Sequence, residues 1–412
     1  MNVKNINESR LLNRMEQMAE IGAVNKSGVH RLSLTDEDKE ARDLVKTWML
    51  EAGLDVDIDK IGNMYGRRKG KTDNAPVAFG SHLDTVGYGG RFDGSLGVMA
   101  ALEVMETLND LNFTTNIPLC MVNFTNEEGA RFAPDMMGSM VVAAETSVEK
   151  AWNATDLKKS NTILKEELER IGYLGNTNPV LFRPAAFVEL YIEQGPVLDK
   201  EQITIGIVES VQGIYWTRFV ITGEANHAGT TPMELRKDAG YVASQIAAYC
   251  RQLAGKYSGL RTTAGLIELE PNLINVIAGK ATISIDIRCP DKQILEKAEI
   301  QLEKFTYECS YGENCEIKIR PLTRVDPVIF EIRVVSSITN SARSLGYTTK
   351  KMVSGAGHAA QLMAGVCPAA MIFIPSKNGI SHNVKEYSSP DDCIAGTNVL
   401  LNTVISLSGR QF

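Results

Sequence analysis

Phe79-Gly-Ser-His-Leu-Asp-Thr-Val-Gly-Tyr-Gly-Gly-Arg-Phe-Asp-Gly-Ser-Leu-Gly97 is the stretch on which the reading of this chain turns. It begins at the end of an apolar run, Val77-Ala-Phe-Gly80, that reads as a buried strand. It leads into a helix-like apolar stretch from Leu96 to Leu108. Between them lies a loop with glycine at 87, 89, 90, 94 and 97 that carries His82, Asp84 and Asp93. Imidazole nitrogen and hard carboxylate oxygen on a loop free to turn tightly suit a divalent cation. An ordinary strand-to-helix connection with an Asp N-cap would carry the same residues, so this stretch alone leaves both readings open.

The flanking sequence extends the pattern. Ile117 to Phe124 is a near-continuous apolar run, as expected of a strand buried on both faces, and it ends in Thr125-Asn-Glu-Glu-Gly. Phe187 to Ile192 ends in Glu193-Gln, and Ala369 to Ile374 precedes the loop that holds His382. Helical spacing covers residues 8–22, 35–53, 145–175 and 328–345 and the segment from Pro390. Alternating strands and helices predict an α/β fold, a mixed sheet flanked by helices, with ligands at the carboxyl ends of its strands. From about Gly213 the order becomes β-α-β-β-α-β, the ferredoxin-like arrangement. We therefore expect a catalytic domain split between 1–212 and 328–412, with an inserted α+β lid or dimerisation domain at 213–327.

Bulk properties narrow the class. At 412 residues the chain exceeds one ordinary core. A net charge of -7 argues against nucleic acid or an anionic membrane as partner. No apolar run approaches the roughly 20 residues of a membrane span. The N-terminus has no apolar h-region, so a cytoplasmic location is expected. The seven cysteines are scattered without a CxxC, which reads as reduced, mostly buried thiols.

Of the five histidines, His82, His227, His358 and His382 fall in polar or glycine-rich loops; His30 reads as a solvated loop residue. Glu127 and Glu128 follow a buried run, as His82 does. Adjacent acids permit a division of labour, one binding metal while its neighbour takes a proton from the attacking water.

Ser81-His-Leu-Asp-Thr-Val, Gly90-Arg-Phe-Asp-Gly-Ser-Leu-Gly, Thr125-Asn-Glu-Glu-Gly-Ala-Arg-Phe, Ile192-Glu-Gln-Gly-Pro, Asn226-His-Ala-Gly-Thr-Thr-Pro-Met, Pro271-Asn-Leu-Ile-Asn-Val-Ile and Ser354-Gly-Ala-Gly-His occur in this order. Together they resemble the two-metal amidohydrolases that include N-carbamoyl-L-amino-acid hydrolase, allantoate amidohydrolase and β-ureidopropionase, relatives of the aminoacylase and carboxypeptidase-like metallohydrolases. The resemblance implies two divalent metal ions per subunit (Zn, Mn, Co or Ni). Asp93 would bridge them, with His82 on the first and Glu128 and His382 on the second. Glu127 would be the general base and later the acid, and Asp84 would orient His82. His227 of the inserted domain would stabilise the oxyanion, often in the partner subunit's site. Asn275, Arg288, Gln194 and Gly357 would contact substrate, Arg288 as the fork for an α-carboxylate. It further implies a homodimer paired through the inserted domain.

Two positions depart from the family. Tyr191 stands where a histidine ligand of the first metal is usual, and Ala359 stands where an aspartate is usual. A neutral phenol, pKa about 10, is a poor ligand at pH 7, and a methyl group accepts no hydrogen bond. The expectation is an active-site variant of an active enzyme, its first metal site weak and its rate reduced. The expected reaction is hydrolysis of N-carbamoyl-L-amino acids to amino acid, carbon dioxide and ammonia. Trp216 favours a substrate with an apolar side chain. The alternatives are an allantoate or N-acyl-amino-acid amidohydrolase, or a binding protein for amino-acid derivatives.

Overall fold

The computed structural model describes residues 3–25, 27–159 and 161–409. Its longer strands, in chain order, are β1 (Asp55–Ile58), β2 (Met64–Arg68), β3 (Val77–His82), β4 (Leu119–Phe124), β5 (Ala186–Ile192), β6 (Ile205–Val211), β7 (Gly213–Thr222), β8 (Arg261–Glu270), β9 (Lys280–Cys289), β10 (Glu316–Val325), β11 (Thr349–Ser354) and β12 (Ala369–Ile374). They divide between two compact units, one formed by the chain up to Glu209 and again from Phe330, the other by Ser210–Ile329.

The first unit is α/β, as the alternating pattern predicts. Its mixed sheet runs β6-β12-β5-β3-β4-β2-β1, with β11 beside β6. Strands β12, β5, β3 and β4 are mutually parallel. Strands β6, β2 and β1 are antiparallel to their neighbours. Every residue of the four parallel strands is buried, as their apolar sequences require. The helices Ser95–Asp110 and Pro390–Ser408 pack on this layer and bury most of their length. The second starts cleanly because Ser389 Oγ accepts the Asp392 N–H at 3.1 Å and proline takes the first turn. Helix Asp36–Glu51 is tied in by a fully buried ion pair. Arg42 Nε donates to Asp38 at 2.8 Å, and its other nitrogens donate to the Gly62 carbonyl at 2.8 Å and Thr125 Oγ1 at 3.3 Å.

The second unit is an antiparallel sheet in the order β8-β9-β7-β10. The helices Ala239–Lys256 and Lys292–Gly312 follow β7 and β9 respectively, which makes the topology ferredoxin-like. Alternation along β9 sends Ile283, Ile285 and Ile287 into a core with Phe219 and Leu302.

The sequence pattern misplaces one element and misses another. Residues 145–175 are not one helical stretch; helices Val148–Trp152 and Leu164–Ile171 are separated by a loop. There Asp156 accepts the N–H groups of Lys158 and Lys159 at 2.8 and 2.9 Å, while Arg131 clamps Asp156 and Glu167. Side-chain bonds to the backbone compete with the helical ladder. Strand β11 carries Lys350 and Lys351 on the sheet's margin and shows no apolar run. No described helix is long and apolar enough to cross a membrane.

Candidate metal centre

Four parallel strands deliver the site from their carboxyl ends, the edge where open α/β sheets gather ligands. His82 ends β3, and Asp93 lies further along the same loop. Glu127 and Glu128 follow β4; Tyr191 is near the end of β5 and Gln194 just beyond it; Ser381 and His382 follow β12. The loops are braced by carboxylates. Asp84 accepts the N–H groups of Glu127 and Glu128, each at 3.2 Å. Glu386 accepts those of Phe92 and Asp93 at 3.1 and 3.0 Å. Gly94 sits at φ +63°, and a Cβ there would overlap the His82 ring, so this turn admits only glycine.

The donors converge. His82, Asp93 and Glu128 each offer an atom within 4.8 Å of the others. His382 Nε2 is 3.4 Å from both Asp93 Oδ2 and Glu128 Oε2. Glu127 Oε2 is 3.4 Å from His82 Nε2. The sequence-predicted His82, Asp84, Asp93, Glu127, Glu128, Gln194 and His382 therefore meet at one place.

Charge explains what such a place takes. Burial, compounded by the surrounding acids, pushes the carboxyls of Glu127 and Glu128 well above their usual range. Burial works on Asp93 in the same direction. The His382 hydrogen bond, the His82 ring and the Tyr191 hydroxyl outweigh it and hold that carboxyl low. His382 is raised by its bond to Asp93. Glu128 Oε1 and Gln194 Oε1 are buried and have no hydrogen-bond partner among the described residues. A buried acid and a buried amide, each with an unused oxygen, fit a cation, and Asp93, Glu128 and His382 are oxygen and nitrogen donors of the right type.

The His82 side of the cluster is different. His82 Nδ1 is 2.8 Å from the Asp84 carbonyl, and Nε2 is 2.7 Å from the Tyr191 hydroxyl, which donates to Asp93 Oδ1. The Tyr191 ring stands edge-on to His358, centroids 4.6 Å apart. His358 is buried rather than in an open loop; burial lowers it to about 3, so the ring is neutral. Its Nε2 is 2.9 Å from Ser354 Oγ. Ala359, fully buried, opens the helix Ala359–Met363.

Three groups escaped the sequence reading. Glu386 is the brace under Asp93, with burial raising it to about 7. Ser381 Oγ is 3.0 Å from Asp93 and 2.8 Å from Glu386. Glu189 on β5 accepts Ser81 Oγ at 2.7 Å and the Ala360 N–H at 2.8 Å. An acid inside an apolar strand run, as Glu189 is, was the one available signal.

Gly357 lies against Met136, whose N–H donates to the Glu127 carbonyl at 2.6 Å. His227, Asn275 and Arg288 belong to the second unit. His227 pairs with Val276 and is exposed; its Nδ1 accepts the N–H groups of Gly229 and Thr230 at 3.0 and 3.2 Å. In the neutral ring that leaves the hydrogen on Nε2, a donor. Asn275 is exposed in the adjoining turn. Arg288 Nε is 3.1 Å from Asp286, and its guanidinium lies 5.9 Å from the centre of the Trp216 ring.

Comparison with known proteins accords with this geometry. The peptidase family M20/M25/M40 matches residues 78–406. The N-carbamoyl-L-amino-acid amidohydrolase of Rhizobium meliloti is 39% identical over 98% of this chain and 97% of its own length. The allantoate amidohydrolase of Bacillus subtilis is 34% identical over 96% of each chain. The crystal structure of a hydantoinase/carbamoylase family amidase from Burkholderia multivorans superposes with a TM-score of 0.94, at 39% identity and 99% coverage of both chains. The chain thus belongs to peptidase family M20/M25/M40, among its amidohydrolases of the hydantoinase/carbamoylase group.

Proposed function

We propose that this protein is a metal-dependent amidohydrolase that cleaves the C–N bond of N-carbamoyl-L-amino acids. One water is consumed, and the products are amino acid, carbon dioxide and ammonia. The observation that carries the reading is the convergence of His82, Asp93, Glu128 and His382 around the buried Glu127, at the strand ends of a chain similar over its whole length to carbamoyl amidohydrolases.

A divalent cation held by Asp93, Glu128 and His382 would supply electrophilic polarisation of the scissile carbonyl and positive charge among the acids. Glu127 Oε2 takes a proton from the attacking water and returns it to the leaving nitrogen. Asp84 holds the backbone of Glu127 and Glu128, so both side chains keep their aim. The family resemblance assigns Arg288 to the α-carboxylate, Asn275 to a polar contact and His227 to the oxygen that gains charge. The resemblance assigns substrate contacts to Gln194 and Gly357 as well. Trp216 beside Arg288 favours an apolar substrate side chain.

The experiment is a panel of N-carbamoyl-L-, N-acetyl-L- and ureido substrates, allantoate included, assayed with Mn, Co, Ni and Zn. N-carbamoyl-L-amino acids should give the highest kcat/KM; higher turnover of allantoate would overturn the choice. The bonding of Tyr191 to His82 and Asp93 favours a second reading, a slow or binding-only protein. Tyr191→His with Ala359→Asp should raise turnover roughly 10–100-fold; no gain supports the binder. We also propose a cytoplasmic homodimer paired through the inserted unit. Seven free thiols accord with a reducing compartment. Exposed Met233, Leu235, Leu273 and Ile274 accord with pairing, which light scattering would report as a doubled mass.

A further inference from the structure

We infer that the site holds one divalent cation, on Asp93, Glu128 and His382, and that the Tyr191 hydroxyl fills the place between His82 and Asp93 where a second would sit. This rests on the metal-dependent reading above and deepens it.

The phenolic oxygen is 2.7 Å from His82 Nε2 and bonded to Asp93 Oδ1. A cation shared by those two atoms would need to approach each to about 2.0–2.2 Å. The hydroxyl oxygen occupies that space. Tyr191 is buried on β5, between β3 and β12, and its ring packs against His358, which opposes any swing of the hydroxyl out of this place. The other nitrogen of His82 is engaged by the Asp84 carbonyl.

On the far side of Asp93 the situation reverses. His382 Nε2 faces Asp93 Oδ2 and Glu128 Oε2 at 3.4 Å each. The other oxygen of Glu128 is buried without a partner among the described residues, and so is Gln194 Oε1. Gln194 Nε2 is 2.8 Å from Asp93 Oδ2. An amide flip would exchange that donor for an oxygen ligand. Among the described residues, two side chains that reach Asp93 Oδ2 or His382 Nε2, Glu128 and Gln194, thus each keep an oxygen without a partner.

The test is metal counting on the full chain, loaded with Mn²⁺ or Zn²⁺ and desalted, together with the Mn²⁺ EPR spectrum. We expect one equivalent and a mononuclear spectrum. His382→Ala should lose the ion, whereas His82→Ala should keep it. Tyr191→His should gain a second equivalent with exchange coupling. Two equivalents in the unaltered chain, loss of the ion with His82→Ala, or a tyrosinate absorption on loading would overturn the inference and leave the hydrolase reading standing. One equivalent in a chain that hydrolyses no substrate of the panel would uphold it while defeating that reading. No ion at all would defeat both.

Discussion

Single side chains carry the chemistry, and Glu127 is the most exposed to test. Its carboxyl is buried beside other acids and lies 3.4 Å from His82. Glu127→Gln keeps the shape and removes the proton carrier. Activity should fall by roughly 10²–10⁴-fold, with metal content unchanged; equal loss of metal would recast Glu127 as a ligand. Glu189 offers a pH test in the metal-free protein. Burial raises it from 4.5 to about 7, against the hydrogen bonds from Ser81 and Ala360. The folded state therefore keeps this proton longer than the unfolded chain. Its contribution is complete below about 4.5 and is lost as pH rises through about 7. Urea titration should show Glu189→Gln gaining on the parent by on the order of 1–3 kcal/mol between about pH 5 and pH 8. A difference independent of pH would show that the carboxyl ionises as freely folded as unfolded.

At the level of elements, the four parallel strands were legible because burial on both faces leaves no room for alternation: Val77 to Phe79, Leu119 to Val122, Phe187 to Leu190 and Ala369 to Ile374 are almost wholly apolar. The acids and histidines just past them were legible for the same reason, since a polar cluster after a buried run must lie at its end. Glu386 was not, because its role is to receive N–H groups from Phe92 and Asp93, far away in sequence. The loop within 145–175 was hidden likewise, since Arg131 supplies its anchor. Arg42 joins helix Asp36–Glu51 to the Thr125 loop through buried bonds. Arg42→Ala strands Asp38 and should cost about 3–5 kcal/mol in chemical denaturation. Asp38→Leu with Arg42→Met should cost clearly less, and equal losses would mean that the pair does not act as a unit.

For the whole molecule, two units with separate cores should melt as two transitions. All the proposed cation ligands lie in the unit that contains the parallel strands. A cation at about 100 times its Kd stabilises the folded state by about 2.7 kcal/mol. Calorimetry should therefore show a chelator lowering one transition by several degrees and leaving that of Ser210–Ile329 in place. A shift of both by the same amount would mean that the units unfold as one.

Gly94 has a last consequence, for how this chain tolerates change. Any side chain there would drive into the imidazole of His82, and the backbone angle penalises one as well. Drift is thus closed to that side of the ring. The Nε2 end of the ring is bounded instead by the side chain of position 191 on β5, where no such glycine constraint applies, so substitution that alters the cation site is open there.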